Sequence, residues 1–149
     1  MKIRLDKVTY IYNKGMAGEK TAVDSVSLEI EEGSFIALAG ATGSGKSTLV
    51  QMINGLKLPS DGVITYDGKS IGNDKKALRE SVRCRVGLVF QYPEYQLFDE
   101  TVLKDVSFGP ENLGLNKEEA EEKARCALKK VGLDESVYEK SPFDLSGGE

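Results

Sequence analysis

The residues whose types and spacing most clearly suggest chemistry are the nine that read GATGSGKST, from Gly40 to Thr48. Glycines let successive backbone N–H groups curl around an anion and come close to it. Lys46 adds a mobile positive charge for phosphates, and the Ser47 hydroxyl is a hard oxygen ligand that suits Mg²⁺. The pattern G-x-x-x-x-G-K-[S/T] therefore predicts a loop that binds a nucleoside triphosphate with magnesium. The predicted nucleotide contacts are Gly40, Ala41, Thr42, Gly43, Ser44, Gly45, Lys46, Ser47 and Thr48.

The motif requires a strand before the loop and a helix after it, and the sequence predicts both. The continuous apolar run FIALA, Phe35 to Ala39, is typical of a strand buried on both faces of a parallel sheet. Lys46 to Asn54 predicts a helix whose positive N-terminus points at the anion, with Gly55 as its stop. VGLVF, Val86 to Phe90, predicts a second buried strand, and Asp74 to Val82 predicts a helix ahead of it.

Other segments predict antiparallel strands. Apolar and polar residues alternate roughly from Ile3 to Tyr12 and strictly from Val26 to Ile30, which indicates strands with one face in water. A polar loop, Asn13 to Lys20, lies between them. Val63 to Tyr66 predicts a further strand, and the tight-turn signal Asp67-Gly68 follows it.

Two helices are predicted in the second half of the chain. Thr101 to Phe108 predicts a short helix that Gly109-Pro110 ends. Lys117 to Val131 is the clearest helix, because Asn116 and Glu119 can form a capping box at its start. Its predicted inner face consists of Ala120, Ala124, Leu128 and Val131, and its predicted stop is Gly132.

Composition narrows the class of protein. The 149 residues are 40% hydrophobic and 30% charged, which is typical of a globular domain. The net charge of −4 argues against a nucleic-acid binder, which needs a basic surface. With two distant cysteines and no histidine, a Cys/His metal site is disfavoured. The longest apolar run before a glycine, Phe35 to Ala39, is far shorter than the roughly 20 residues of a membrane helix.

Further stretches connect the phosphate loop with a known family. LSGGE, Leu145 to Glu149, is similar to the signature motif of ABC transporter ATPases, in which a phosphate loop lies well upstream. The segment VFQYPEYQLFDETVLKDVSFGP, Val89 to Pro110, resembles the ATPases of energy-coupling factor transporters after their glutamine loop. SPFDLSGGE, Ser141 to Glu149, resembles the second type of ATPase subunit in that family. The resemblance covers essentially the whole chain.

This resemblance implies an α/β fold of the ABC type of P-loop NTPase. An N-terminal antiparallel β subdomain, an incomplete parallel-sheet core and the start of a helical subdomain are expected. Residues 1–91 would form the β subdomain and phosphate-loop core, and residues 92–149 the helical subdomain up to the signature. The family places its magnesium aspartate, general-base glutamate and γ-phosphate histidine beyond the signature. We therefore expect an N-terminal part of a longer domain, which does not turn over ATP and which self-associates or is partly unfolded through unpaired strand edges.

The resemblance also implies roles for single residues. Tyr12 resembles the aromatic residue that stacks on adenine, although Tyr10 competes for this role and cross-strand packing is an alternative. Gln91 resembles the catalytic glutamine that contacts magnesium and the attacking water. The signature would form an anion nest at the start of a helix, for the γ-phosphate held by the opposite subunit. The nest residues are Ser146, Gly147 and Gly148.

The implied function is that of the ATP-binding subunit of an energy-coupling factor importer, which couples ATP binding and hydrolysis to uptake of a vitamin or similar micronutrient. Its cofactors would be ATP and Mg²⁺. Its partners would be a second ABC ATPase, identical or paralogous, a transmembrane coupling subunit and a substrate-binding membrane subunit. The protein would be peripheral, on the cytoplasmic face of the cell membrane.

Two segments, Tyr92 to Phe98 and Thr101 to Phe108, resemble the surface with which the family's ATPases contact the coupling subunit. As an alternative, Tyr95, Leu97 and Phe98 could be ordinary loop-packing residues. Three other functions remain alternatives. They are a soluble ABC-type ATPase that acts on ribosomes or DNA, a P-loop kinase of small molecules, and a non-catalytic nucleotide-binding module. The acidic charge argues against the first, and LSGGE argues against the second.

Overall fold

The structure is a computed structural model that describes residues 1–70 and 82–148. The chain divides into two compact units, Met1–Leu88 and Val89–Glu149, and each has its own hydrophobic core. The helix predicted from Asp74 to Val82 lies outside the described residues, apart from Val82 itself. That side chain is fully buried in the core of the first unit.

A four-stranded antiparallel sheet forms most of the first unit. Its strands are β1 Ile3–Tyr12, β2 Lys20–Ile30, β3 Asp61–Tyr66 and β4 Lys69–Ser70, in the order β2-β1-β3-β4. All neighbouring pairs are antiparallel, so the predicted antiparallel strands are confirmed. The turn between β3 and β4 has positive φ at both Asp67 (49°) and Gly68 (77°), which is the type I′ geometry that this dipeptide favours.

β1 contains an extra residue in its middle, and this explains its imperfect alternation. Ile3 and Leu5 are buried, and the next buried residue is Val8, so the pattern shifts by one position. The shift occurs at Lys7, whose φ is +47°, and the Lys7 N–H donates to Ser27 Oγ at 3.0 Å in place of a ladder bond. The bulge thus lets both halves of β1 face the same core.

A helix, α1 Lys46–Ile53, packs against this core through the buried side chains of Leu49 and Met52. The predicted helix is confirmed, and Gly55 follows it with a φ of +76°. The hydroxyl of Tyr66 in β3 donates to the carbonyl of the last helical residue at 2.8 Å. The sheet therefore fixes α1 both through apolar packing and through a hydrogen bond at its end.

The two apolar segments predicted as buried strands are not strands in this structure. Phe35 to Ala39 lies outside the described sheet, and the Phe35 side chain is 97% exposed. Val86 to Phe90 also lies outside it, and Val89 is 79% exposed. The prediction that both are buried strands is therefore wrong here, whereas their exposure agrees with the expectation of strand edges without partners. Such segments are buried only between neighbouring parallel strands, and the described sheet provides none beside them.

Two helices form the core of the second unit, α2 Val102–Asn112 and α3 Lys117–Lys130. Thr101 caps α2, where its hydroxyl accepts from the N–H of Lys104 at 3.3 Å. The buried cluster between the helices and the segment that follows them contains Val102, Leu103, Ala124, Leu128, Val137 and Tyr138. In the described parts of the chain, every helix is too short or too polar to cross a membrane.

α2 continues through Gly109 and Pro110, so the prediction that this dipeptide ends the helix is wrong. A proline inside a helix removes one backbone hydrogen bond, and its ring crowds the Cβ of the preceding residue. That residue is Gly109, which has no Cβ, so this part of the crowding is absent. The helix ends after Asn112, where the N–H of Leu113 donates to the carbonyls of Gly109 and Pro110 at 3.2 and 3.1 Å.

α3 begins with the predicted capping box. The N–H of Glu119 donates to Asn116 Oδ1 at 3.0 Å, and the N–H of Asn116 donates to a Glu119 carboxylate oxygen at 3.2 Å. Ala120, Ala124 and Leu128 are buried on one face, as predicted. This helix is therefore specified by its cap and by a narrow apolar stripe.

Val131 was predicted on the inner face of α3, and this is wrong, because its side chain is 74% exposed. The helix ends there, and Gly132 reverses the chain with a φ of +87°. The N–H of Leu133 then donates to the carbonyl of Leu128 at 3.0 Å, and Leu133 packs on the core. This is the Schellman ending, in which the residue after the glycine supplies the apolar contact.

We predict that the first unit loses stability in alkali through Tyr66. Burial raises the pKa of Tyr66 from 10.0 to about 12. The folded state favours the neutral phenol, so the stabilisation is complete below pH 10.0 and is lost as the pH rises to about 12. The free energy of unfolding, measured in urea, should fall over this range, and Tyr66→Phe should flatten the fall. Tyr92→Phe, with an exposed ring, is the matched control. Equal pH profiles for Tyr66→Phe and the unaltered chain would contradict the prediction.

Candidate nucleotide-binding site

The phosphate loop, residues 40–48, has a path that favours glycine at Gly43 and Gly45. Gly43 and Gly45 have φ of +82° and +90°, a region that other residues rarely adopt. A Cβ on Gly45 would also collide with the carbonyl oxygen of Ala22 in β2, whereas one on Gly43 would meet open space. The loop therefore contacts the sheet directly at Gly45, the N-cap residue of α1.

The ammonium group of Lys46 lies over the start of the loop. Its Nζ donates to the carbonyls of Gly40 at 2.7 Å and Ala41 at 2.8 Å. Gly40 is crowded, since a Cβ there would lie 2.9 Å from Ser44 Oγ. No side chain caps α1, and no acidic residue occupies its first turn. The positive end of the helix and the lysine charge thus reinforce each other, as a phosphate-binding site requires.

A cavity of about 250 Å³ lies against the loop. It is lined by Tyr12, Lys20, Ala22, Gly43, Gly45, Lys46, Ser47 and Thr48. Lys20 and Lys46 contribute positive charge, and the described residues that line the cavity include no carboxylate. The structure therefore brings the predicted Tyr12 together with five of the predicted loop residues. The other four, Gly40, Ala41, Thr42 and Ser44, are exposed and do not line it.

Tyr12, rather than Tyr10, is the tyrosine that faces the loop. Its hydroxyl is 3.1 Å from Thr48 Oγ1, and its ring is 36% exposed. Tyr10 is half-buried, packs against the core and meets the ring of Tyr12 edge-on, with the ring centroids 4.9 Å apart. The Nζ of Lys57 lies 4.9 Å from the Tyr12 centroid and 5.2 Å from the Tyr10 centroid. Tyr12 thus has a defined position beside the phosphate loop.

The other predicted site residues lie in the second unit. Gln91 is exposed and precedes a short 3-10 turn, Pro93–Gln96. The signature residues Ser146, Gly147 and Gly148 are exposed and follow another 3-10 turn, Pro142–Asp144. Gly147 and Gly148 form a turn, and a Cβ on either would meet open space. The helix start expected at this nest is not among the described residues.

A groove of about 690 Å³ runs along the second unit. Asp105 fixes the loop at its side, since Oδ1 accepts from the N–H groups of Phe98 and Asp99 at 3.0 and 3.1 Å. Large aromatic side chains are exposed on the same unit, including Tyr95 at 83%. The groove is lined by Pro93, Glu94, Leu97, Val102, Asp105, Val106, Leu128, Leu133, Pro142, Phe143, Leu145, Ser146 and Gly147.

Comparison with known proteins identifies the family of this chain. Residues 23–149 match the sequence profile of the ABC transporter family. The chain belongs to this family. It is similar to the energy-coupling factor transporter ATP-binding protein EcfA2 of Clostridium perfringens (strain 13 / Type A), with 49% identity over 150 residues. It is 50% identical to EcfA2 of Streptococcus pyogenes serotype M5 (strain Manfredo). The resemblance seen in the sequence is thereby confirmed.

These alignments include all of this chain but only part of each relative. They cover 52% of the Clostridium protein and 54% of the Streptococcus protein. The chain therefore spans about half the length of the curated relatives it matches.

Solved structures confirm the predicted fold class. A dimeric post-hydrolysis state of the ATP-binding cassette MJ0796, bound to ADP and Pi, superposes with a TM-score of 0.81 at 31% identity. The match covers 97% of this chain and 63% of that one. The cbiO1 protein of Clostridium perfringens, part of the ABC transporter complex cbiONQ, gives a TM-score of 0.76 at 37% identity over 97% of this chain and 55% of that one. The fold corresponds to part of an ABC ATPase cassette and contains an antiparallel sheet, as expected for the N-terminal subdomain.

Sequence reasoning did not identify three residues around the cavity. Lys20 and Ala22 line it, and Lys57 lies against the ring of Tyr12. Lys20 pairs with Tyr12 across β1 and β2, which places both side chains on the same face of the sheet. That register depends on the irregular β1–β2 pairing and could not be read from the alternation pattern alone.

Replacement of Gly45 by alanine should destabilise the first unit more than the same change at Gly43. Both residues have positive φ, which costs alanine about 1–2 kcal/mol. Only at Gly45 must the Ala22 carbonyl also move, so we expect a total loss of about 3 kcal/mol or more. Urea unfolding of the two variants measures this difference, with Gly43→Ala as the matched control. Equal losses of unfolding free energy in the two variants would show that the close approach of Gly45 to the Ala22 carbonyl does not limit substitution.

Proposed function

We propose that this chain is the nucleotide-binding part of an ATP-binding subunit of an energy-coupling factor importer. One observation carries the proposal. GATGSGKST forms a loop at the N-terminus of α1, and its backbone path requires glycine at Gly45. The loop lines a cavity that Tyr12 also lines. The similarity of the whole chain to two EcfA2 proteins supports the transport role.

The loop suits the triphosphate of ATP. The first-turn N–H groups of α1 and the Lys46 ammonium offer positive potential, and the described lining residues place no carboxylate against it. We propose that loop residues Gly40 to Thr48 surround the phosphates and that Tyr12 stacks on adenine, because an aromatic face beside a phosphate loop provides an apolar surface for the base.

Magnesium would be held by hydroxyl and amide oxygens. Ser47 follows Lys46 and lines the cavity, so its hydroxyl can reach a metal bound to the phosphates. We propose Gln91 as a second oxygen ligand and as the residue that positions the attacking water. When bound, magnesium neutralises charge on the phosphate oxygens.

ATP hydrolysis is proposed for the whole protein rather than for these 149 residues alone. The relatives are about twice as long as the chain. The exposed signature residues Ser146, Gly147 and Gly148 are proposed to bind the γ-phosphate held by a second ATPase subunit, identical or paralogous. Residues 1–91 and 92–149 are then the phosphate-loop part and the helical part of one catalytic domain.

The proposed contact with a transmembrane coupling subunit is the part of the groove that Tyr92 to Phe98 and Thr101 to Phe108 line, which excludes the signature residues Ser146 and Gly147. Its lining is largely apolar but includes the carboxyl groups of Glu94 and Asp105. An apolar segment that carries a positive charge would fit both features. Docking there would hold the protein at the cytoplasmic face of the membrane, where a further membrane subunit would bind the vitamin or similar substrate.

Nucleotide binding should depend on Lys46. We expect Lys46→Ala to weaken ATP binding to the purified chain about tenfold to a hundredfold, the value of a charge-assisted hydrogen bond. Titration calorimetry with Mg-ATP measures this, and Lys69→Ala on β4 is the control for removal of one positive charge. The unaltered chain should bind ATP without steady phosphate release. Equal affinity in Lys46→Ala, or steady hydrolysis by the chain, would overturn the corresponding part of the proposal.

Charge placed in the groove should disrupt membrane-subunit binding. Leu97 lines the groove and Tyr95 is exposed beside it, so Leu97→Glu and Tyr95→Glu should each lower co-purification of the membrane subunits by about tenfold or more. Leu113→Glu, at an exposed leucine outside the groove, is the matched control. These changes belong in the complete protein, co-expressed with its membrane partners. Intact assembly with both groove variants would refute this contact.

A further inference from the structure

We propose that Thr48 and Lys57 are positioning residues that hold the Tyr12 ring in place for the base of the nucleotide. The inference rests on the proposed function, in which Tyr12 stacks on adenine. It adds that α1 carries a base-positioning residue at its start and that the segment just after α1 carries another. The phosphate subsite and the base subsite are thereby connected through one helix.

The first connection is the hydrogen bond between two hydroxyls. Tyr12 OH lies 3.1 Å from Thr48 Oγ1, and Thr48 is buried in the first turn of α1. The threonine is the last residue of the phosphate loop, so its position is set by the loop and the helix together. The bond therefore fixes the polar end of the tyrosine relative to the phosphate subsite.

The second connection is the ammonium group of Lys57. It lies 4.9 Å from the Tyr12 centroid and 5.2 Å from the Tyr10 centroid, both within cation–π range. The backbone holds this lysine in turn, since its N–H donates to the carbonyl of Gln51 in α1 at 3.0 Å. Lys57 is partly buried, and its ammonium group lies within range of both tyrosine rings.

Tyr10 completes the support. Its ring meets that of Tyr12 at 76°, in the edge-to-face arrangement that aromatic pairs prefer. Tyr12 is at the end of β1, where a side chain of an exposed strand end would otherwise sample several rotamers. Contacts with a hydroxyl, a cation and a second ring restrict it before any ligand binds. Restriction in advance lowers the entropic cost of stacking a base on the ring.

The proposal predicts different effects on the binding of two kinds of ligand. A nucleotide uses both subsites, whereas inorganic tripolyphosphate uses only the phosphate loop. Loss of a residue that acts through Tyr12 should therefore weaken ATP binding and leave tripolyphosphate binding unchanged. Loss of a lysine that simply attracts anions should weaken both.

The experiment measures the affinities of ATP and tripolyphosphate for the purified chain by calorimetry. We expect Lys57→Met to weaken ATP binding by about three- to tenfold, the range for the cost of immobilising one side chain on binding, without changing tripolyphosphate binding. Lys57→Arg should retain most of the ATP affinity, because guanidinium also binds aromatic faces. Lys69→Met, which removes a charge on β4, should change neither affinity.

A double-mutant cycle tests whether Lys57 acts through the ring. In a Tyr12→Leu background, Lys57→Met should have no further effect on ATP binding. Equal weakening of ATP and tripolyphosphate, or additive effects of the two changes, would overturn the inference, as would unchanged ATP affinity in Lys57→Met. Thermal melts of each variant identify loss of folding, and if Lys57→Met proves unstable, Lys57→Gln, which also removes the charge, should show the same selective loss of ATP affinity.

The proposed function fails in a different way. If the unaltered chain binds neither ATP nor tripolyphosphate, or if Lys46→Ala leaves both affinities unchanged, the nucleotide site itself is wrong. If both ligands bind in a Lys46-dependent manner and Lys57→Met has no selective effect on ATP, only the positioning role is wrong.

Discussion

The close contact between Gly45 and the Ala22 carbonyl is the constraint on which the first unit depends. With no Cβ at this position, α1 can begin directly against β2, and its first-turn N–H groups face the cavity beside the sheet. The helix then continues over the core through Leu49 and Met52, and Tyr66 holds its far end. A phosphate loop placed further from the sheet could not share a cavity with Tyr12.

The position of the sheet residues beside the phosphate loop depends on irregular strand pairing as well as on regular pairing. The bulge in β1 turns Val8 toward the core after Leu5, and the β1–β2 register changes twice more before Tyr12 pairs with Lys20. Gly62 in β3 has to pass close to the bulge, where a Cβ would collide with the Lys7 carbonyl. The aromatic residue and the lysine therefore reach the phosphate loop because the strands are not ideal.

Much of this arrangement could be predicted from the sequence, because local chemistry determines it. The phosphate loop, the capping box of α3 and the Asp67-Gly68 turn each follow from residues within a few positions of one another. The contacts of Tyr12 could not be predicted in the same way. They join residues from β1, α1 and the segment after α1, and the choice between Tyr10 and Tyr12 depends on a strand register that alternation alone does not define.

The errors in the prediction share a physical cause. Phe35 to Ala39 and Val86 to Phe90 have the composition of buried strands, but a segment without neighbouring strands is neither buried nor held in an extended ladder, so the expected loss of partners also removes the strands. Val131 has the right spacing for the inner face of α3, but Gly132 ends the helix and Leu133 takes the apolar contact instead. Pro110 lies inside α2, where the missing Cβ of Gly109 removes one of the steric conflicts of a helical proline. In each case a neighbouring residue or segment decides the outcome. The same reasoning applies to the exposed aromatic side chains of the second unit. Their burial against another surface would lower the free energy by removing apolar area from water.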